Sequence, residues 1–168
     1  MSARREEPHS EKPRLLRSPA ATQKLGRVLG ELLEPYDFIA LRGPLGAGKT
    51  LFVRGCAEGA DVPESEAMSS PTFALAHTYS GGRIPLLHFD LYRVESAAEL
   101  FAIGFDDMLA EPVAALCEWP ERAGSALPHE RLEIALEHAG PKARTISITA
   151  IGTRAETLRT KLRAALRK

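Results

Sequence analysis

The run Gly43-Pro44-Leu45-Gly46-Ala47-Gly48-Lys49-Thr50 fits the spacing G-x-x-x-x-G-K-[ST], a loop whose backbone N–H groups wrap the phosphates of a nucleotide. Each residue type has a physical task there. Gly43, Gly46 and Gly48 tolerate positive φ and leave no Cβ between backbone and ligand. Lys49 brings a positive charge to the β- and γ-phosphates. The Thr50 hydroxyl is placed to ligate Mg²⁺ at the N-terminus of a helix, where the dipole already favours an anion. Leu45, Ala47 and Leu51 complete the expected nucleotide-binding stretch. Tyr36 to Leu41 reads as a buried strand entering the loop, and Leu51 to Ala57 as a helix leaving it. A Gly-rich turn that binds nothing is the competing explanation, and the order strand, loop, helix argues against it.

Such a loop needs a further acid for the metal, usually at the end of a neighbouring strand. Leu86 to Asp90 is an apolar run ending in a carboxylate, so Asp90 is expected to hold Mg²⁺ directly or through water. Ala114 to Glu118 ends the same way and is followed by Trp119-Pro120. Ligands collect at the carboxyl ends of strands in open α/β sheets, which would turn Glu118 towards the crevice of Asp90. There it could polarise an attacking water or touch nucleotide and metal; a surface Glu after a strand is the alternative. Trp119 is either a core or lid residue or one that stacks near the nucleotide. Ser70, Pro71, Thr72 and Phe73 could form a switch that senses the γ-phosphate through Thr72, or an ordinary loop. His9, His77, His88, His129 and His138 show no metal-ligand spacing, and His88 reads as a strand residue facing a neighbour.

The elements that must position these groups follow from patterning. With 168 residues, 44% hydrophobic and 26% charged, the chain has the balance of one globular domain. Its 22 basic and 22 acidic side chains cancel, which argues against a protein that grips nucleic acid chiefly by its own field. Cys56 and Cys117 stand far apart, outside any C-x-x-C, so neither a disulfide framework nor a zinc cluster is expected. No apolar segment of signal or membrane length is present at the N-terminus, and the cytoplasm is the expected location. Residues 1–13 read as a disordered tail and 14–168 as the domain. Arg14 to Arg17 suggests a short edge strand, then Ser18 and Pro19 start a helix with the stripe Leu25, Val28, Leu29, Leu32 and Leu33, ended by Pro35. Asp61 to Glu66 reads as a polar loop. Phe73 to Tyr79 and Ile84 to Asp90 suggest an antiparallel hairpin around Gly81-Gly82. Ser96 and Glu99 form a capping box for a short helix ending at Gly104. Val113 to Cys117 reads as a central strand. Leu132 to Leu136 and Thr145 to Ile151 are alternating strands. Thr153 with Glu156 is expected to cap a last helix that buries Leu158, Leu162, Ala165 and Leu166. Its Arg154, Arg159, Lys161, Arg163, Arg167 and Lys168 read as a solvated face, with contact to RNA or an acidic partner as the minority alternative. The predicted fold is α/β: a single P-loop NTPase-like domain, a mixed β-sheet with helices on both faces.

The order of these motifs resembles the bacterial TsaE family of tRNA threonylcarbamoyladenosine biosynthesis ATPases. Five pieces carry the resemblance: Leu45 to Thr50, Ser70-Pro71-Thr72-Phe73, His88-Phe89-Asp90-Leu91-Tyr92-Arg93, Glu99-Leu100 with Gly104, and Glu118-Trp119-Pro120. It implies an ATP-binding, Mg²⁺-dependent ATPase of low intrinsic activity, releasing ADP, that works with the proteins TsaB and TsaD. Together these install threonylcarbamoyl on the adenosine beside the anticodon. The transferase chemistry belongs to TsaD, and tRNA is met through the complex. The chain is expected to be monomeric when isolated. By motif position, Lys49 and its loop hold phosphates, Thr50 and Asp90 hold the metal, Glu118 lies at the nucleotide, and Ser70 to Phe73 form the switch. Two positions depart from the family: Pro44 replaces an acidic or amide residue, and Leu51 a frequent hydroxyl. Pro44 removes an N–H, and both could shift nucleotide affinity.

Two other classes fit the phosphate loop. A P-loop kinase would need an arginine-bearing lid, for which Arg93 and Arg122 are the candidates. A non-catalytic nucleotide switch would signal through Ser69 to Phe73. A GTPase is disfavoured by the lack of any [NT]-K-x-D segment.

Overall fold

The apolar run before the phosphate loop becomes the strand around which the sheet is built. The computed structural model describes residues 9–10, 12–67 and 75–167. Its strands are β1 (His9–Ser10), β2 (Arg14–Leu16), β3 (Phe38–Arg42), β4 (Ala76–Tyr79), β5 (Leu86–Asp90), β6 (Ala114–Glu118), β7 (Arg131–His138) and β8 (Arg144–Ile151). Their spatial order is β1-β8-β7-β3-β6-β5-β4, and β2 also pairs with β8. β7, β3, β6 and β5 run parallel, while β8 and β4 close the two sides antiparallel. Parallel strands covered on both faces need continuous apolar runs, which is why Phe38 to Leu41 and Ala114 to Cys117 lack polar alternation. The predicted mixed sheet with helices on both faces is therefore observed.

Helices α1 (Pro19–Leu32), α2 (Lys49–Gly59) and α6 (Thr153–Ala165) cover one face through Leu25, Leu29, Phe52, Val53, Leu158 and Leu162. Helices α4 (Ala97–Ala102) and α5 (Phe105–Ala110) cover the other through Leu100 and Phe105. Ser18 caps α1 as predicted, its Oγ accepting from Ala21 N at 3.1 Å, with Pro19 in the first turn. Close approach fixes α2, the helix that carries the phosphate loop, against α1. A Cβ on Gly26 would lie 2.3 Å from Phe52 O, and one on Gly55 would lie 2.1 Å from Gln23 O. Both positions therefore admit only glycine, and the loop helix is held rigidly beside its neighbour.

Several sequence expectations need correction. The segment read as a polar loop contains a single helical turn, α3 (Glu64–Ala67). The short helix after Ser96 is followed at once by α5, with Gly104 at φ 74 making the corner between them; six residues are too few to display helical periodicity. The Thr153–Glu156 cap is not formed. Gly152 occupies the cap position without a side-chain bond, and the Arg154 N–H donates instead to Glu130 Oε2 at 2.7 Å. The basic face of α6 is only partly solvated. Arg154 donates to Asp37 Oδ1 at 2.7 Å and to Pro35 O at 2.6 Å, while Arg159 is 6% exposed and donates to Glu156 at 2.8 Å. Arg154 ties the start of α6 to Asp37 and Pro35, and Arg159 is buried against Glu156 of the same helix. His9–Ser10 pairs with Thr149 and Ala150 of β8. No helix among the described residues is long and apolar enough to cross a membrane.

Candidate functional site

The loop between β3 and α2 adopts the backbone that its glycines permit. Gly43, Gly46 and Gly48 have φ of 146°, 76° and 99°, a region that L side chains rarely enter. Gly43 also passes so near β7 that a Cβ would lie 2.4 Å from Leu136 O. α2 begins at Lys49, so its unpaired N-terminal N–H groups face the hollow of the loop.

Lys49 is 4% exposed, and its Nζ donates to Gly43 O at 2.6 Å and Pro44 O at 3.0 Å. Nζ also lies 4.2 Å from the centroid of the Trp119 ring, a cation–π contact. Burial lowers the pKa of Lys49, while Glu118, Glu121 and Asp90 pull the other way. Trp119 reaches that place because its own backbone is left-handed, with φ 57 just beyond the end of β6. A bulky side chain in this conformation is a strained outlier, and here it turns the indole over the lysine. Tyr92, after β5, packs its ring 5.0 Å from Trp119. Trp119 is partly buried against the core cluster of Phe38, Phe89 and Phe105 and also lies over Lys49 beside the loop.

Both predicted strand-end acids sit at the carboxyl end of the sheet beside the loop. Register pairs Asp90 with Glu118, and Glu118 with Leu41 of the strand that enters the loop. Glu118 is 3% exposed, which removes the surface reading. Thr50 Oγ1 donates to Glu118 Oε1 at 3.1 Å, with Oε2 at 3.4 Å. His88 Nε2 lies 3.0 Å from the same Oε1. Facing a carboxylate, which only accepts, Nε2 is the nitrogen placed to donate. His88 is 2% exposed, and among the described residues its Nδ1 has no hydrogen-bond partner. Asp90 Oδ1 accepts from Tyr92 N at 3.1 Å, and burial raises its pKa.

Three residues that sequence reasoning did not place in the site belong to its surroundings. His88 orients Glu118. Arg144, the first residue of β8, donates to Gly46 O and Ala47 O of the loop, each at 3.0 Å. His138 Nε2 lies 3.4 Å from Leu45 O. None has a local signature, because each acts across 30 residues or more. Ser70, Pro71, Thr72 and Phe73 lie outside the described residues. Arg93 and Arg122, the candidates for a kinase lid, are exposed.

The donor set fits a nucleotide with Mg²⁺. Three glycines at positive φ, a buried lysine and a helix N-terminus are a donor set of the kind that suits phosphate. No group of three or more His, Cys, Asp or Glu among the described residues could hold a metal alone. Mg²⁺ in a phosphate site needs only one or two protein oxygens, with waters and phosphate oxygens supplying the rest. Thr50 and Asp90 are the oxygens present.

The chain is similar to proteins of one family. The model of the family described as threonylcarbamoyl adenosine biosynthesis protein TsaE matches residues 16–146. The tRNA threonylcarbamoyladenosine biosynthesis protein TsaE of Bacillus subtilis (strain 168) is 37% identical over 141 residues, covering 84% of this chain and 87% of that protein. The protein of the same name from Treponema pallidum (strain Nichols) is 38% identical over 132 residues, covering 79% of this chain and 96% of that one. Among solved structures, Bacillus subtilis YdiB superposes with a TM-score of 0.74 at 31% identity, over 95% of this chain and 97% of that chain.

Proposed function

The chain belongs to the TsaE family, and from that premise we propose that it is the ATP-binding, Mg²⁺-dependent ATPase of the bacterial machinery that forms N6-threonylcarbamoyladenosine beside the anticodon of tRNA. It works in the cytoplasm with TsaB and TsaD and meets tRNA through them. The observation that carries this reading is the convergence of Lys49, Thr50, Asp90 and Glu118 on one loop.

The roles follow from the contacts. Lys49 already donates to two loop carbonyls, so phosphate oxygens replace partners that orient the ammonium towards them. Thr50 gives its proton to Glu118, which leaves its oxygen lone pairs to face a cation. Glu118 is held through Oε1 by Thr50 and His88, while Oε2 is the less engaged oxygen and the one able to take a hydrogen bond from a water. Thr50 and Asp90 would hold Mg²⁺, which would supply neutralisation of the charge that develops during phosphoryl transfer. The work of the chain is positioning and electrostatics, with no covalent intermediate on the protein.

A substitution read against Mg²⁺ concentration separates Asp90 from the rest. Phosphate release from ATP is measured against Mg²⁺ concentration, with TsaB and TsaD present. Asp90→Asn keeps shape and the Tyr92 contact but removes charge, so ATP should still bind while maximal Mg²⁺-dependent hydrolysis falls on the order of 10²-fold. Wild-type turnover and an unshifted Mg²⁺ dependence in that variant would show that Asp90 does not serve the metal. Transfer of phosphate to an acceptor, with none released, would favour a kinase.

A further inference from the structure

Three successive carbonyls of the phosphate loop face side chains that belong to the distant β7–β8 hairpin. Arg144 supplies most of the grip. Its Nε donates to Ala47 O and its Nη2 to Gly46 O, both at 3.0 Å, a fork spanning two adjacent peptide units. Its Nη1 donates to Ala143 O at 2.7 Å and Gly140 O at 3.2 Å, which ties the guanidinium to its own turn. His138 Nε2 approaches Leu45 O at 3.4 Å.

We propose that Arg144 is a positioning residue for nucleotide binding, holding the phosphate loop with its N–H groups turned into the hollow. This rests on reading the loop as the nucleotide site. The chain has no cis peptide among the described residues, and a trans unit points its C=O and N–H in opposite directions. Carbonyls of Gly46 and Ala47 drawn towards Arg144 therefore turn the N–H groups of Ala47 and Gly48 the other way. The Ala47 N–H donates to Pro44 O at 3.1 Å, the same carbonyl that takes the ammonium of Lys49, so in this structure both donors share one loop acceptor that a phosphate oxygen would replace. Glycines at 46 and 48 give this segment more conformational freedom than any other residue type would, and an external clamp removes that freedom before ligand arrives. The fixed positive charge behind the loop also polarises the two peptides in the direction that strengthens their donors. Lysine cannot reproduce the fork, because a single ammonium lacks the planar pair of N–H groups.

The test uses the full chain with Arg144→Met and Arg144→Lys, reading MgATP affinity through Trp119, the only tryptophan, and backbone amide exchange along the chain. Arg144→Met should raise the Kd for MgATP about tenfold or more, as expected for two lost charge-assisted bonds that organise a site. Exchange should quicken across residues 43–50 while the β7–β8 ladder stays protected, and Arg144→Lys should recover only part of the affinity. An unchanged Kd in Arg144→Met would overturn the proposal. So would a loss of affinity that tracks faster exchange along the whole β7–β8 ladder, since Arg144 would then serve only to brace its hairpin. If wild type itself binds no MgATP, the nucleotide reading falls and takes this role with it; binding by wild type makes the two failures distinguishable.

Discussion

Lys49→Met is expected to weaken MgATP binding by on the order of 10²-fold or more without lowering the thermal midpoint. Loss of a buried charged partner costs about 2–5 kcal/mol of binding, and each 1.4 kcal/mol is about tenfold. The stability half of the expectation has a separate cause. Lys49 is 4% exposed, and burial lowers its pKa below the ordinary 10.5, so the folded protein holds this charge at a cost that the unfolded chain does not bear. Methionine fills a similar volume and removes that cost. The sign of the pH dependence follows. Between the lowered pKa of the folded state and 10.5 the unfolded chain binds more protons, so wild-type stability gains a contribution as pH rises through that window. Lys49→Met should lack this rise. Binding by isothermal calorimetry and unfolding followed over pH check both halves, and wild-type ATP affinity in the variant would remove Lys49 from the site.

Glu118→Gln should leave ATP bound within a few-fold and cut hydrolysis by about 10²–10⁴-fold, the range for removal of a positioned general base. The substitution is conservative where the structure is demanding. The amide oxygen of glutamine still accepts from Thr50 and His88, which now share Glu118 at 3.1 and 3.0 Å. What glutamine cannot do is take a proton from water. Single-turnover hydrolysis in the assembled complex reads the step directly. Full hydrolysis by the variant would assign Glu118 to anchoring Thr50 and His88, with the chemistry left to other groups.

The parts of this site that were legible in the sequence are those with short-range signatures. Gly43 to Thr50 form the loop and the first two residues of α2 as one contiguous stretch, and the three glycines have the positive φ that their spacing predicts. Asp90 and Glu118 were found because each ends an apolar run, and parallel strands necessarily bring their carboxyl ends to one edge of the sheet. Ser18-Pro19 announced the start of α1 for the same local reason. The rest depends on pairs far apart in the chain. Arg144 meets the loop across 97 residues, and Arg154 meets Asp37 across 117. A lone arginine at the start of a strand carries no mark of such a partner. The cap of α6 failed as a prediction because a carboxylate from Glu130, not one from the helix itself, reaches the N–H of Arg154. His88 read as a neighbour-facing strand residue, and the neighbour is Glu118; its relevance appears only with the parallel register that sets β5 beside β6.

The central claim is that this phosphate loop drives threonylcarbamoyladenosine formation. Its most direct test is multi-turnover modification of tRNA by the matching TsaB and TsaD proteins, with ATP and Mg²⁺, comparing no addition, this chain, and its Lys49→Met variant. The account predicts repeated turnover with the wild-type chain and none above background with the variant. Equal stimulation by both would contradict it, because the pathway would then not need the nucleotide site. No stimulation by a wild-type chain that binds ATP would contradict it as well, and would leave a nucleotide-binding protein of this family acting elsewhere.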